Sequence, residues 1–265
     1  PDRLTPLELT PLLNTHDIGR TIHYRDVLPS TNDLAFRLAQ EGAFHGEVVI
    51  ADQQTQGRGR RGRTWVSPAG LNLYFSLILR PELTPQRAPE LTLLTAVAVA
   101  ETLREAGGHA FIKWPNDLLV EGRKISGILT ELSAEPETIH FVVVGVGVNL
   151  NAHSTDFPPE LSGLATSLAE VRGQKVPRAL FTAALWTRLE NWLELHQEQG
   201  FPPVREAWRA LCETLGQDVL VKTERREFRG RAEDIDDLGA LLVRTPDGLE
   251  RVVAGDVEQI RARVS

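Results

Sequence analysis

Hydrophobic and polar positions along the chain follow two periods, and the changes between them mark out the elements. Thr21 to Leu28 is strand-like, and Ser30-Thr31-Asn32-Asp33 after it reads as a capping box of the S-x-x-D type. The box opens a helix with Leu34, Leu38 and Ala39 on one face, stopped near Gly42. Glu47 to Ala51 is a short buried-strand pattern. Leu71 to Leu79 puts Leu71, Leu73, Phe75, Leu77 and Leu79 on one face of a strand. Pro89 to Ala106 is a long apolar helix rich in Ala and Leu. Phe111 to Trp114 reads as a strand cut by Pro115. Lys124 to Leu132 and His140 to Val148 read as two more, the second hydrophobic enough to be central. Pro177 to Gln197 and Pro203 to Gly216 are helical, with Trp186, Trp192 and Trp208 turned inward.

After Gly216 the pattern changes. Short alternating strands at Asp218–Thr223, Glu227–Ile235, Ala240–Arg244 and Leu249–Ala254 are separated by turn chemistry, Asp236-Asp237-Leu238-Gly239 and Pro246-Asp247-Gly248. Such short strands in quick succession predict a small closed β-barrel. The chain therefore divides into an N-terminal tail or single helical turn over 1–20, a mixed α+β domain over 21–216 and a barrel over 217–265. In the central domain strands and helices alternate irregularly, which predicts hairpins and not a regular βαβ series.

Composition removes several classes. The chain has 265 residues, 42% hydrophobic and 25% charged, as ordinary globular proteins do. No apolar run reaches the ~18–20 residues that a membrane span needs, and no secretory signal pattern opens the chain. One cysteine, Cys212, rules out an internal disulfide framework and a clustered-cysteine zinc site; a reducing, cytoplasmic setting fits. The formal charge of −7 argues against binding nucleic acid over the whole surface, while leaving room for a local basic site.

Four segments carry candidate chemistry. The first is Gln53-Gln54-Thr55-Gln56 followed by GRGRRGR at 57–63, where glycines allow close backbone approach and Arg58, Arg60, Arg61 and Arg63 offer forked donors to phosphate or carboxylate. It lacks the G-K-[ST] ending of a Walker loop and does not open a helix as a dinucleotide fingerprint does. Two readings stay open: an anion-binding loop, or a solvated arginine–glycine stretch that contacts RNA. Four arginines so close together repel, so the loop is expected to be mobile until an anion arrives. The second segment is Lys113-Trp114-Pro115-Asn116-Asp117, a polar group at a strand end and equally an ordinary turn. The third is Lys124 where an apolar strand begins, a costly place for a charge unless it meets an anion or snorkels to the surface. The fourth is the run Val144-Gly145-Val146-Gly147-Val148-Asn149-Leu150-Asn151, whose alternating glycines mark where another backbone or a ligand passes close. The seven histidines show no metal-ligand spacing.

Taken in order, Ser30-Thr31-Asn32, Gln54, GRGRRGR with Trp65, KWPND at 113–117, RKISGILTE at 123–131 and GVGVNLN at 145–151 resemble the biotin protein ligases. That family activates biotin with ATP and attaches it to a lysine of a carboxylase carrier. The resemblance covers residues 21 to 151 closely and the tail more loosely. It implies a class II aminoacyl-tRNA-synthetase-like catalytic domain of the biotin/lipoate ligase type over 21–216, followed by an SH3-like barrel over 217–265. Bifunctional members carry an N-terminal winged helix-turn-helix domain; only about 20 residues precede Thr21, so the expectation is a monofunctional ligase without sequence-specific, operator-type DNA binding.

By resemblance, Lys124, Arg58 and Arg60 are the catalytic residues. Ser30, Thr31, Asn32, Gln54, Arg58, Gly59, Arg60 and Lys124 bind biotin, and Arg60, Arg63, Trp65, Lys113, Asn116 and Asp117 bind ATP or the adenylate. Asp117 is the candidate to approach Mg²⁺, through water, with no certain metal ligand. Gly255-Asp256 and Arg261 look like the family's terminal element, though the spacing to Arg261 is one residue long. The implied partner is the biotin carboxyl carrier protein of acetyl-CoA carboxylase; the resemblance implies no membrane partner and allows a homodimer. The other readings are a lipoate or octanoate ligase and, from a different class, an RNA-binding module.

Overall fold

The computed structural model describes residues 2–260. The chain opens with a four-residue helix α1 (Pro6–Leu9), started by Thr5 and Glu8 and continued by a 3-10 turn at Thr10–Leu12. This segment holds the one short helical turn expected of it, and it is packed, not trailing. Leu4, Leu9 and Ile18 are buried in the main core. The Glu190 carboxylate accepts the backbone N–H groups of His16, Asp17 and Ile18 at 2.5–2.9 Å.

Seven strands then build one mixed sheet: β1 (Ile22–Leu28), β2 (Val48–Gln54), β3 (Leu73–Leu79), β4 (Phe111–Lys113), β5 (Asp117–Val120), β6 (Arg123–Ala134) and β7 (Ile139–Val148). Their order is β1-β2-β3-β7-β6-β5-β4, with β1 and β2 parallel and every other pair antiparallel. The sequence pattern did not distinguish β5, whose four residues form a hairpin with β4 across the Trp114–Pro115 turn. β3 and β7 sit in the middle, and all seven residues of β3 are buried. β3 is therefore covered on both faces.

On one face lie α3 (Pro89–Glu105), α5 (Arg178–Gln199) and α6 (Pro202–Leu211), closing a core with Phe75, Leu77, Val144 and Val146. Trp186 on α5 meets Phe75 edge-on at 5.8 Å. Trp186 and Trp208 are fully buried as the spacing predicted. Trp192 is half-buried because its indole N–H reaches the Glu101 carboxylate at 2.9 Å. The other face carries α2 (Thr31–Gln40), packed through Ala35 and Ala39 on Val49, Ile78 and Val143. α2 covers only part of this face.

After a short helix α4 (Leu168–Arg172), α5 and α6, strands β8 (Asp218–Lys222), β9 (Glu227–Ile235), β10 (Leu241–Thr245), β11 (Gly248–Val252) and β12 (Asp256–Gln259) form a five-stranded antiparallel sheet. Its order is β11-β10-β9-β8-β12, so β11 and β12 stand at its two ends. The sequence pattern ended at Ala254 and missed β12. The turn before β10 docks this sheet on the first: Gly239 has φ +80° and lies where a methyl would be 2.6 Å from Leu93, and its carbonyl accepts the Trp114 indole N–H at 3.2 Å. Among the described residues no helix is long and apolar enough to cross a membrane.

The interface of α3 and α5 contains one buried charge. Glu90, 1% exposed, accepts from Arg87 at 2.7 and 2.9 Å and pairs with His196 at 2.7 Å. Burial pushes its carboxyl up, but the bonds from His196 and Arg87 outweigh burial and hold it below the ordinary range. A folded-state pKa below the unfolded value gives stability that is full above the unfolded pKa of about 4.3 and is lost as pH falls through the folded one. Glu90→Ala should lower the unfolding free energy at pH 7 by about 3 kcal/mol. In urea titrations the deficit should shrink below about pH 4; a deficit independent of pH would contradict this account of Glu90.

Candidate active site

The part of the sheet that α2 leaves open is the floor of a cavity of about 450 Å³, walled by residues 58–66, the loop through Phe157 to Ala165, and β12. The floor has no side chains because Gly127 on β6 and Gly145 and Gly147 on β7 face it. A methyl at Gly145 would lie 2.0 Å from Asn32 Oδ1, and one at Gly147 would lie 2.4 Å from the Trp65 ring. At Gly127 it would be 3.1 Å from the same ring. The alternating glycines are thus the places where Asn32 and Trp65 rest on the sheet.

One end of the cavity is polar and carries no net charge. Ser30, Thr31 and Asn32 begin α2 and are nearly buried. The Ser30 hydroxyl makes no capping bond. Asp33, the expected second half of the capping box, pairs with Arg58 at 2.6 Å instead, so the box does not form. Thr31 donates its backbone N–H and its hydroxyl to Gln54 Oε1 at 2.8 and 3.1 Å; Gln54 Nε2 donates to Ser67, and Ser67 to the Trp65 carbonyl. From β3, Ser76 lies 2.8 Å from Thr31 Oγ1 and 2.6 Å from Asn32 Oδ1. Asn32 Nδ2 donates to the Leu129 carbonyl at 3.2 Å and to Glu131 at 2.8 Å.

The other end is cationic. Arg58 touches Asp33 and Glu131 at 2.6 and 2.7 Å. Arg60 donates to Asn116 Oδ1 at 3.1 Å, and Asn116 Nδ2 is committed to the Ile128 carbonyl at 2.7 Å, which fixes the amide. Burial pushes the Arg60 guanidinium pKa down, yet an arginine stays charged at neutral pH. Arg61, in the left-handed region at φ 55°, and Arg63 both reach the Asp256 carboxylate on β12. Lys124 pairs with Asp117 at 2.6 Å, and its Nζ stands 5.5 Å from the centre of the Trp65 ring. Lys113 and Gly59 complete this wall.

Every residue to which the resemblance gives a biotin or ATP role lines this single cavity, whereas Arg61 of the loop does not. Asp256 joins them on a strand the pattern missed, and Arg261 lies outside the described residues. The expected self-repulsion of the arginine loop is reduced: three carboxylates, Asp33, Glu131 and Asp256, hold Arg58, Arg61 and Arg63, and Arg60 alone of the four rests on an amide. Sequence reasoning missed Ser76, Glu131 and the apolar side of the cavity at Phe157, Leu161 and Leu164. Ser76 was hidden in an apolar strand, whereas Glu131 stood at the end of a motif already noted. Among the described residues no three His, Cys, Asp or Glu side chains converge to hold a metal. A magnesium ion here would rest chiefly on substrate phosphates, as that ion commonly does.

The chain is similar to known proteins over most of its length. The Biotin/lipoate A/B protein ligase family matches residues 24–149, and the biotin protein ligase C-terminal domain matches 214–258. A bifunctional ligase/repressor of Bacillus subtilis is 40% identical over 259 residues, 97% of this chain and 80% of that protein. A biotin–[acetyl-CoA-carboxylase] ligase of Paracoccus denitrificans is 39% identical over 86% of this chain and 96% of its own length. The structure of biotin protein ligase from Aquifex aeolicus in complex with biotin and ATP superposes with a TM-score of 0.79 at 28% identity, over 92% of this chain and 100% of that one.

The carboxylate clasps make a prediction about the unliganded loop. Asp256→Asn should speed tryptic cleavage after Arg61 and Arg63 about fivefold, as expected for losing ~1 kcal/mol of rim ion pairing. Cleavage after Arg58, held by Asp33 and Glu131, should not change. Equal acceleration at all three sites, or none, would show that Asp256 does not hold the loop.

Proposed function

The chain belongs to the biotin/lipoate A/B protein ligase family, and we propose that it joins biotin to a carrier protein in two steps driven by ATP. The observation that carries this reading is the division of one cavity into a neutral hydrogen-bonding end and a cationic end. Biotin has a matching division: an uncharged cyclic urea at one end and a carboxylate at the other. Ser30, Thr31, Asn32 and Gln54 hydrogen-bond the urea. A lipoyl or octanoyl acid has no urea and would forgo those hydrogen bonds.

In the first step a carboxylate oxygen of biotin attacks the α-phosphorus of ATP. The bond from that phosphorus to the bridging oxygen breaks, and pyrophosphate leaves with the electron pair. Two anions must approach, so fixed positive charge at the meeting point lowers the barrier. Arg58, Gly59 and Arg60 take the carboxylate and α-phosphate, and Lys124 meets the oxygens where negative charge concentrates. The carboxylates now on Arg58, Arg61, Arg63 and Lys124 are exchanged for substrate anions. Arg63, Trp65, Lys113 and Asn116 bind the nucleotide, and Asp117 would approach magnesium on its phosphates through water. Magnesium, when bound, supplies charge neutralisation on those phosphates.

In the second step the carrier's lysine amine attacks the acyl carbon, loses a proton, and expels AMP as the carbon–oxygen bond of the mixed anhydride breaks. Here the site contributes mainly proximity. We take the acceptor to be the biotin carboxyl carrier protein of acetyl-CoA carboxylase, a reading the name of the Paracoccus relative supports.

ATP–pyrophosphate exchange tests this function. Exchange should depend on biotin and should not be supported by lipoate or octanoate. Lys124→Ala should remain folded and lose about a hundredfold in kcat and in kcat/KM together, because charge that is worth most in the transition state affects both. Exchange equal with lipoate would overturn the substrate. Unchanged kcat in Lys124→Ala would move the catalytic charge to another residue.

A further inference from the structure

In the scheme above Glu131 only gives up Arg58 to an incoming anion, yet it touches both the residue at the neutral end, Asn32, and the first arginine of the cationic end. It lies on β6 two residues beyond Leu129, on the strand face that Gly127 gives to the cavity floor. One of its oxygens, Oε2, accepts from Asn32 Nδ2 at 2.8 Å and from Arg58 at 2.7 Å. We propose that Glu131 is a positioning residue that acts through Asn32 to present a hydrogen-bond acceptor to a ureido N–H. The proposal rests on the reading of the cavity as a biotin site and deepens it.

The argument is one of donors and acceptors. A carboxamide can turn over and exchange its oxygen for its nitrogen, which would change what Asn32 offers to a ligand. Both hydrogens on Asn32 Nδ2 have partners that can only accept, the Leu129 carbonyl and the Glu131 carboxylate. A turned amide would set two oxygens against each other at both places. Ser76 cannot enforce the choice, because a hydroxyl either donates or accepts. With Nδ2 committed, Oδ1 lies over Gly145, where a methyl would be 2.0 Å away; it accepts the Ser76 hydroxyl at 2.6 Å, and its second lone pair is left for a ligand on the cavity that Asn32 lines. Asn32 is therefore an acceptor, and of its two fixed partners only Glu131 is a side chain. The same carboxylate oxygen holds Arg58, so the acceptor for the head group and the first arginine of the loop are set by one residue.

Two variants at this position separate the roles. Glu131→Gln retains a carbonyl oxygen for Asn32 Nδ2 and loses only the charge on Arg58, which keeps Asp33. Glu131→Ala removes the acceptor. Pyrophosphate exchange would be measured for the wild type and both variants with biotin and with biotin methylated on a ureido nitrogen, at varied ATP. We expect Glu131→Ala to raise KM for biotin about tenfold, the effect of one lost hydrogen bond at a buried amide, with kcat and KM for ATP changed less than about threefold. Its preference for biotin over the methylated analogue should collapse, while Glu131→Gln keeps both the KM and the preference. Glu131→Ala with wild-type KM and preference overturns the proposal. So does a loss shared equally by both acids and by ATP and not rescued in Glu131→Gln, which would make Glu131 a fold residue. A wild type that uses the methylated acid as well as biotin would instead refute the head-group reading, and this proposal with it.

Discussion

Strand β7 carries two demands that a single run of side chains cannot meet. One face must fill the core beneath α3 and α5, and Val142, Val144, Val146 and Val148 do so. The other must let Asn32 and the Trp65 ring lie on the sheet itself, which needs no side chain at Gly145 and Gly147. Strand periodicity reconciles the two: positions i and i+2 share a face, so valines and glycines can alternate without conflict. Glycine weakens a strand interior, and the burial of β3 on one side and pairing with β6 on the other make good the loss. The cavity exists because the central strand is bare at Gly145 and Gly147 on one face and filled by valines on the other.

Electrostatics is organised around the same floor. Arginines at 58, 61 and 63 and Lys124 each rest on a carboxylate: Asp33 and Glu131, then Asp256, then Asp117. Such half-exposed pairs are weak, which suits a site whose charges must change partners when anionic substrates arrive. Arg60 stands apart, held by the Asn116 amide and not by a carboxylate, and burial lowers its pKa. A phosphate that reaches it displaces no ion-paired carboxylate. Since Asp256 comes from β12, the second sheet takes part in holding the loop and is more than an appendage.

The arginine loop, Lys124 and the alternating glycines were legible as candidate chemistry because their signals are local, whereas Ser30, Thr31, Asn32, Gln54 and Trp65 were reached only through the resemblance of the ordered motifs to a family. Period-two and helical patterns likewise gave most strands and helices within a few residues. What escaped depended on tertiary contact. β5 has four residues and β12 another four, too few to establish a period, and β12 is defined by pairing with β8. Ser76 looked like one polar interruption in LYFSLIL, and only the packing of α2 shows that its hydroxyl lies between Thr31 and Asn32. The expected capping box failed for a related reason: Asp33 had a stronger partner in Arg58, far along the chain. The loop's self-repulsion was overstated because the neutralising carboxylates come from α2, β6 and β12 and could not be read beside the arginines.

The claim that the bare face of β7 creates the binding site is tested most directly by titration calorimetry of biotin against Gly145→Ala, with near-ultraviolet circular dichroism to establish the fold. The added methyl cannot coexist with Asn32 in its present place, 2.0 Å away. Its direction is toward the cavity and not the valine-packed core, so the spectrum should be that of the wild type. The account predicts a loss of at least about a hundredfold in biotin affinity, two or more head-group hydrogen bonds' worth. A folded Gly145→Ala protein that binds biotin as the wild type does would contradict it.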